Sequence, residues 1–118
     1  MGAQQSVIDA SSTIDLAKAI VEVNRSPELR QAGLAALWCL YYAPNHTSTR
    51  VKLERDFGLL GDHFGAYSRR VAEELGAEEP DSLPLVNSWF DEHRAEMITL
   101  KPSVVTAIRS YAFSKMTR

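Results

Sequence analysis

The chain has 118 residues, enough for one domain that buries a core without disulfides or a structural metal. Its 45% hydrophobic and 24% charged residues exclude a disordered chain, and the single cysteine, Cys39, excludes an internal disulfide framework. The formal net charge of -2 gives no global basic field, so a nucleic-acid role would need a local patch.

Residues 1–11 are small and polar and read as a flexible arm, leaving 12–118 as a single domain. Ser12 can cap a first helix, in which Ile14, Leu16, Ala17, Ile20, Val21 and Val23 form a broad apolar face. In "NRSPEL", Ser26 suits an N-cap, Pro27 the first helical position and Glu28 the positive end of the dipole. The second helix runs to about Ala43, with Leu34, Leu37, Trp38 and Tyr41 at helical spacing, and Pro44 ends it.

Thr47 can cap a short third helix, "STRVKLERDF", ending at Gly58 and contributing Val51, Leu53 and Phe57 to the interior. A fourth helix, capped by Asp62 and ended by Gly76, places Phe64, Tyr67, Val71 and Leu75 on one inner stripe. The tight glycine-bearing turn between the third and fourth helices reads as a helix-turn-helix.

After the loop "AEEPDS", "LPLVNSWF" and "AEMITL" alternate like strands around the charged tip "DEHR". They predict a β-hairpin. The competing pattern is a helix over 82–100, because Val86, Trp89, Phe90, His93 and Met97 also recur at helical spacing. Pro102 opens a last helix with Val104, Val105, Ile108, Tyr111 and Ala112 inward. The fold expected is mainly α with a small β-hairpin, the alternative being an all-α bundle.

No glycine-rich phosphate loop, nucleophile elbow or HExxH motif appears, so no catalysis is expected. His46, His63 and His93 lack partners at ligand spacing, Cys39 reads as a core thiol, and no metal or cofactor is expected. "NHT" at Asn45 fits a glycosylation acceptor, but the opening residues do not read as a secretory signal, so it is not expected to be used and cytoplasmic residence is the default expectation. "MGAQQS" fits an N-myristoylation pattern at Gly2, with Ser6 at the required offset. One such chain anchors only weakly.

The order of elements resembles a winged helix-turn-helix domain, and in particular the MarR-type transcription regulators. "LAALWCLYYAP" resembles that family's first core helix, "VKLERDFGLLGDHFGAYSRRVAEELG" its helix-turn-helix, and "EHRAEMITLKPS" its wing and return strand. The resemblance spans about Leu34 to Ile108. It implies a non-enzymatic, double-stranded DNA-binding homodimer joined through the first and last helices. It also implies a small aromatic effector near Trp38, Tyr41, Tyr42 and Trp89, although such rings mainly supply buried area.

DNA binding needs cations for phosphates and polar tips for base edges. The candidates are Thr47, Ser48, Arg50, Lys52 and Arg55 around the third helix, His63, Arg69 and Arg70 on the fourth, and Arg94 at the wing. The family carries Ser, Thr, Lys and Arg early in the recognition helix. Here Leu60, Gly61, Asp62, His63, Gly65 and Ala66 occupy those places, and only His63 suits base contact. The plainer reading is a set of solvated charges interleaved with Glu54, Glu73 and Glu74. The rival function is accordingly a protein-interaction or scaffolding module, membrane-attached through Gly2 if that residue is acylated.

Overall fold

The structure is a computed structural model that describes residues 7–57 and 63–112. Helices dominate, and one small antiparallel sheet of three strands completes the fold. In chain order the helices are α1 (Val7–Ala10), α2 (Thr13–Val23) and α3 (Pro27–Tyr42). A 3₁₀ turn over Pro44–His46 leads to β1 (Thr47–Thr49), α4 (Arg50–Phe57) and α5 (Gly65–Glu74). Strands β2 (Val86–Phe90) and β3 (Glu96–Leu100) precede α6 (Pro102–Ala107), which widens into a π-type turn over Ile108–Ala112.

Local chemistry places most of these boundaries. The Ser12 hydroxyl accepts from Asp15 N–H at 3.1 Å and caps α2, and the Ser26 hydroxyl accepts from Leu29 N–H at 3.4 Å and caps α3. Past Pro44, Asn45 and His46 both take positive φ, 55° and 54°, which turns the chain sharply from α3 into β1. A 2.7 Å hydrogen bond between His46 Nδ1 and Tyr41 C=O holds that bend. Gly76, at φ 100°, ends α5 in the left-handed conformation that glycine adopts without steric cost.

The hairpin is present, and the segment around Trp89 and Met97 is extended rather than helical. Val86 pairs with Leu100, Ser88 with Ile98 and Phe90 with Glu96. The Asp91 side chain organises the tip by accepting from His93 N–H at 2.8 Å and Ala95 N–H at 2.9 Å. The resulting five-residue turn leaves Arg94 at φ 63°.

Four expectations need correction. The sheet has a third strand, because Thr47–Thr49 pairs with β3 in the order β1-β3-β2. The residue capping α4 is therefore Thr49, whose hydroxyl accepts from Lys52 N–H at 3.1 Å, and not Thr47. Residues 7–10 are no loose arm: they form a helical turn, bury Ile8 completely and tie Asp9 to Lys101 at 3.5 Å. Two of the apolar residues assigned inward face water, Ile14 at 53% and Val51 at 76% exposure. Each lies two residues before an inward side chain, Leu16 or Leu53, and two residues are about 200° of helical rotation, which puts it on the far face of its helix. The Asp62 cap and the Gly58 turn lie outside the described residues, as do the side chains of Tyr111 and Ala112.

The core runs through all the helices. Leu37 and Leu40 from α3, Leu53 from α4, Phe64, Tyr67 and Val71 from and just before α5, and Ile98 and Leu100 from β3 are all buried. Helix α2 packs on α5 and on α6, which cover its stripe of Leu16, Ala17, Ala19, Ile20 and Val23. The first and last helices thus spend their apolar faces inside one protomer.

Candidate nucleic-acid interface

Strand β1 and helix α4 carry five of the expected contacts. Thr47 and Thr49 lie on one side of β1 and Ser48 on the other. The Thr47 hydroxyl donates to Asn45 C=O at 2.8 Å and lies 2.9 Å from the Thr99 hydroxyl, which also accepts from Trp89 Nε1 at 3.3 Å. A short polar chain therefore crosses all three strands, and Thr47 has structural partners of its own.

Arg50 opens α4 and leans across to the sheet. Its guanidinium lies 3.4 Å from Glu54 and 3.6 Å from Glu96. Because Glu96 begins β3 next to the hairpin tip, this pair brings the start of α4 to the same end of the sheet as Arg94. Lys52 is exposed on α4, and Arg55 pairs with its neighbour Asp56 at 3.0 Å.

Helix α5 turns Gly65, Tyr67, Ser68, Val71 and Ala72 inward. His63, just ahead of it, and Arg70 and Glu73 along it are exposed. Arg70 lies 3.5 Å from Glu73 and 2.8 Å from Glu74. Arg69 is half-buried and donates to Ser82 C=O at 3.2 Å, so its guanidinium braces the loop before β2. The two adjacent arginines therefore do different work: Arg69 is tied to backbone, while Arg70 sits among its own helix's carboxylates.

The tip carries Asp91, Glu92, His93 and Arg94, with His93 3.4 Å from Glu92. Among the described residues Arg50, Arg55 and Arg70 are thus paired with carboxylates, whereas Lys52 and Arg94 are in no such pair. These pairs are open to solvent; the Arg70 side chain is 49% exposed and the Arg50 side chain 41%. Exposed pairs of this kind contribute about 0–1 kcal/mol each, too little to hold an arginine against a competing phosphate.

The rings near the end of α3 pack on one another. Trp38 stacks on Tyr42 with centroids 5.6 Å apart, Tyr41 meets Tyr42 edge-on at 5.0 Å, and His46 stacks on Tyr41 at 5.6 Å. Trp89 stands on the sheet, 48% exposed, and Phe90 beside it is 69% exposed. This exposed aromatic pair is the surface feature that sequence reasoning missed, because alternation in "LPLVNSWF" marks a strand but does not say that the strand lies at an edge.

Gly2 lies outside the described residues. Among the described residues no helix is long and apolar enough to cross a membrane, and no group of His, Cys, Asp and Glu is placed to hold a metal. No family model matches the chain, and no curated protein or solved structure matches it either.

Proposed function

We propose that the chain is a winged-helix module that binds double-stranded DNA mainly through phosphate contacts, as a non-enzymatic regulator. The observation that carries this reading is the sheet order β1-β3-β2, with α4 and α5 inserted between β1 and the β2–β3 hairpin. That order is compatible with a winged-helix arrangement: a first core helix (α3), a short strand, two helices, then a hairpin returning beside the first strand. In this reading α5 faces the groove with His63 and Arg70, Arg50, Lys52 and Arg55 meet the backbone from α4, and Arg94 at the wing tip meets the flanking groove. With so few base-reading side chains on α5, shape and charge dominate and sequence selectivity is low.

A second reading, a protein-interaction module, is favoured by the local pairing of the arginines and by the exposed Trp89 and Phe90. Fluorescence anisotropy with duplex DNA over a range of salt separates the two. The DNA reading expects binding that weakens steeply with salt. Absence of binding at low salt removes it and leaves the interaction module.

A further inference from the structure

Strand β2 forms one edge of the sheet, and among the described residues its only strand partner is β3. Two bonds set the parity of the ladder. Asp91 N–H donates to Ala95 C=O at 3.0 Å, and Lys101 N–H donates to Leu85 C=O at 3.1 Å. Antiparallel pairing alternates, so Leu85, Asn87, Trp89 and Asp91 turn their backbone groups toward β3. Val86, Ser88 and Phe90 turn theirs outward. The Val86 N–H is already bound to Leu83 C=O at 3.2 Å. The outward groups of Ser88 and Phe90 face no strand among the described residues.

Proteins guard an open edge with lysine, proline, a bulge or an extremely short strand. The sequence of β2, Val-Asn-Ser-Trp-Phe, has no charge and no proline, and it pairs with β3 residue for residue without a bulge. The opposite edge, β1, is only three residues long and runs straight into α4. The unguarded edge is also the one that carries the exposed Trp89 and Phe90.

We propose that β2 pairs antiparallel with β2 of a second copy of this chain, about a twofold axis through Ser88. This inference does not rest on DNA binding. A twofold pair can be centred on any residue of the strand, but only Ser88 both lies in the outward set and overlaps the whole of Val86–Phe90. In that register the two Ser88 residues exchange both backbone bonds. Phe90 N–H of each copy donates to Val86 C=O of the other, whose own N–H is satisfied within its protomer. Phe90 then lies across from Val86, and Trp89 across from Asn87, so a large side chain always meets a smaller one. The same strand laid parallel would set Trp89 against Trp89 and Phe90 against Phe90 and could not close as a twofold. With no charge in the strand, no like charges oppose each other within it.

Only the five residues of β2 pair in each copy, far fewer than the roughly 20–30 residues a side of a standard interface, so the dimer is weak and its formation depends on concentration. Sedimentation equilibrium of the full chain from micromolar to millimolar concentration tests it. The mass should rise from 13.1 kDa toward twice that value. Ser88→Pro removes an outward N–H without touching the β3 ladder, and Phe90→Lys adds the missing guard. Each should stay monomeric at concentrations where the native chain is dimeric, with unchanged far-UV circular dichroism. Amide exchange at Ser88 and Phe90 should slow as the native chain associates. A native chain that stays monomeric at millimolar concentration overturns the proposal. So does a dimer that survives Phe90→Lys, or association that leaves exchange at Ser88 and Phe90 unchanged. If Ser88→Pro fails to fold, Phe90→Lys and the exchange measurement still decide.

Discussion

The Tyr67 ring lies directly on Gly33, so that a Cβ built at Gly33 would overlap the Cβ and Cγ of Tyr67. This contact sets how closely α5 approaches α3. Tyr67 is fully buried, and its hydroxyl donates to Asn24 Oδ1 at 2.8 Å, which ties the same ring to the end of α2. One side chain thereby joins three helices.

Gly33→Ala tests that joint. Alanine would gain up to about 1 kcal/mol of helix propensity over glycine, whereas overpacking a rigid ring costs about 1–3 kcal/mol. The clash involves the root of the Tyr67 side chain, which cannot swing aside, so the penalty should win. A net loss of about 1–2 kcal/mol is expected by urea denaturation. A variant as stable as the native chain would mean that α3 and α5 shift apart freely.

Burial pushes the Tyr67 phenol up from its ordinary value of 10.0. The unfolded chain releases this proton near the ordinary value while the folded chain keeps it. The associated stability is therefore complete below about pH 10 and falls above it, by about 1.4 kcal/mol per pH unit. Tyr67→Phe should remove that share of the alkaline loss. Below about pH 10 the variant should itself cost about 1 kcal/mol, because Asn24 loses its partner. Unfolding free energies of both chains, compared across the alkaline range, check the sign.

Arg94 occupies the left-handed region at φ 63°, in a position of the hairpin turn where glycine is preferred. Relief of that conformation should make Arg94→Gly more stable by about 0.5–1 kcal/mol, after the added freedom of the unfolded chain is deducted. Asp91→Ala should act in the opposite direction by about 1–2 kcal/mol, since its carboxylate accepts the amides of His93 and Ala95. Thermal unfolding of the two variants should therefore bracket the native midpoint.

If duplex DNA is bound as proposed, Lys52→Ala and Arg70→Ala should weaken it similarly on unrelated duplexes. Each should lower the slope of log affinity against log salt by about 1. Glu73→Gln with Glu74→Gln should strengthen binding, because the carboxylates nearest Arg70 at 3.5 Å and 2.8 Å are then neutral. Arg69→Ala should act mainly on stability, through the Ser82 contact. Salt-independent anisotropy in all of these variants would contradict the phosphate-contact reading.

Much of the fold was legible because the signals are local. Ser12, Ser26 and Pro27 act within one turn of the backbone they cap, and the stripe of Phe64, Tyr67 and Val71 depends only on helical periodicity. The hairpin was legible from alternation, although Val86, Trp89, Phe90 and Met97 fit a helix as well. The carboxylate of Asp91 closing the turn decides that contest. Strand β1 was not legible. Three residues, Thr47–Thr49, are too short to show a period, and a threonine that caps a helix looks the same in sequence as one that pairs with Thr99.

The candidate cations were legible as residue types but not as partners. Arg50 meets Glu96 from a strand more than forty residues away, and Arg69 meets the carbonyl of Ser82 across a loop. The sequence by itself determined the starts of α2, α3 and α6 and most of the inward stripes, because those depend on neighbours within a few residues. The tertiary structure alone decided which strand is left at the sheet's edge, which cations are already matched, and which glycine lies under a tyrosine ring. Those are relations through space, and separation along the chain carries almost no information about them.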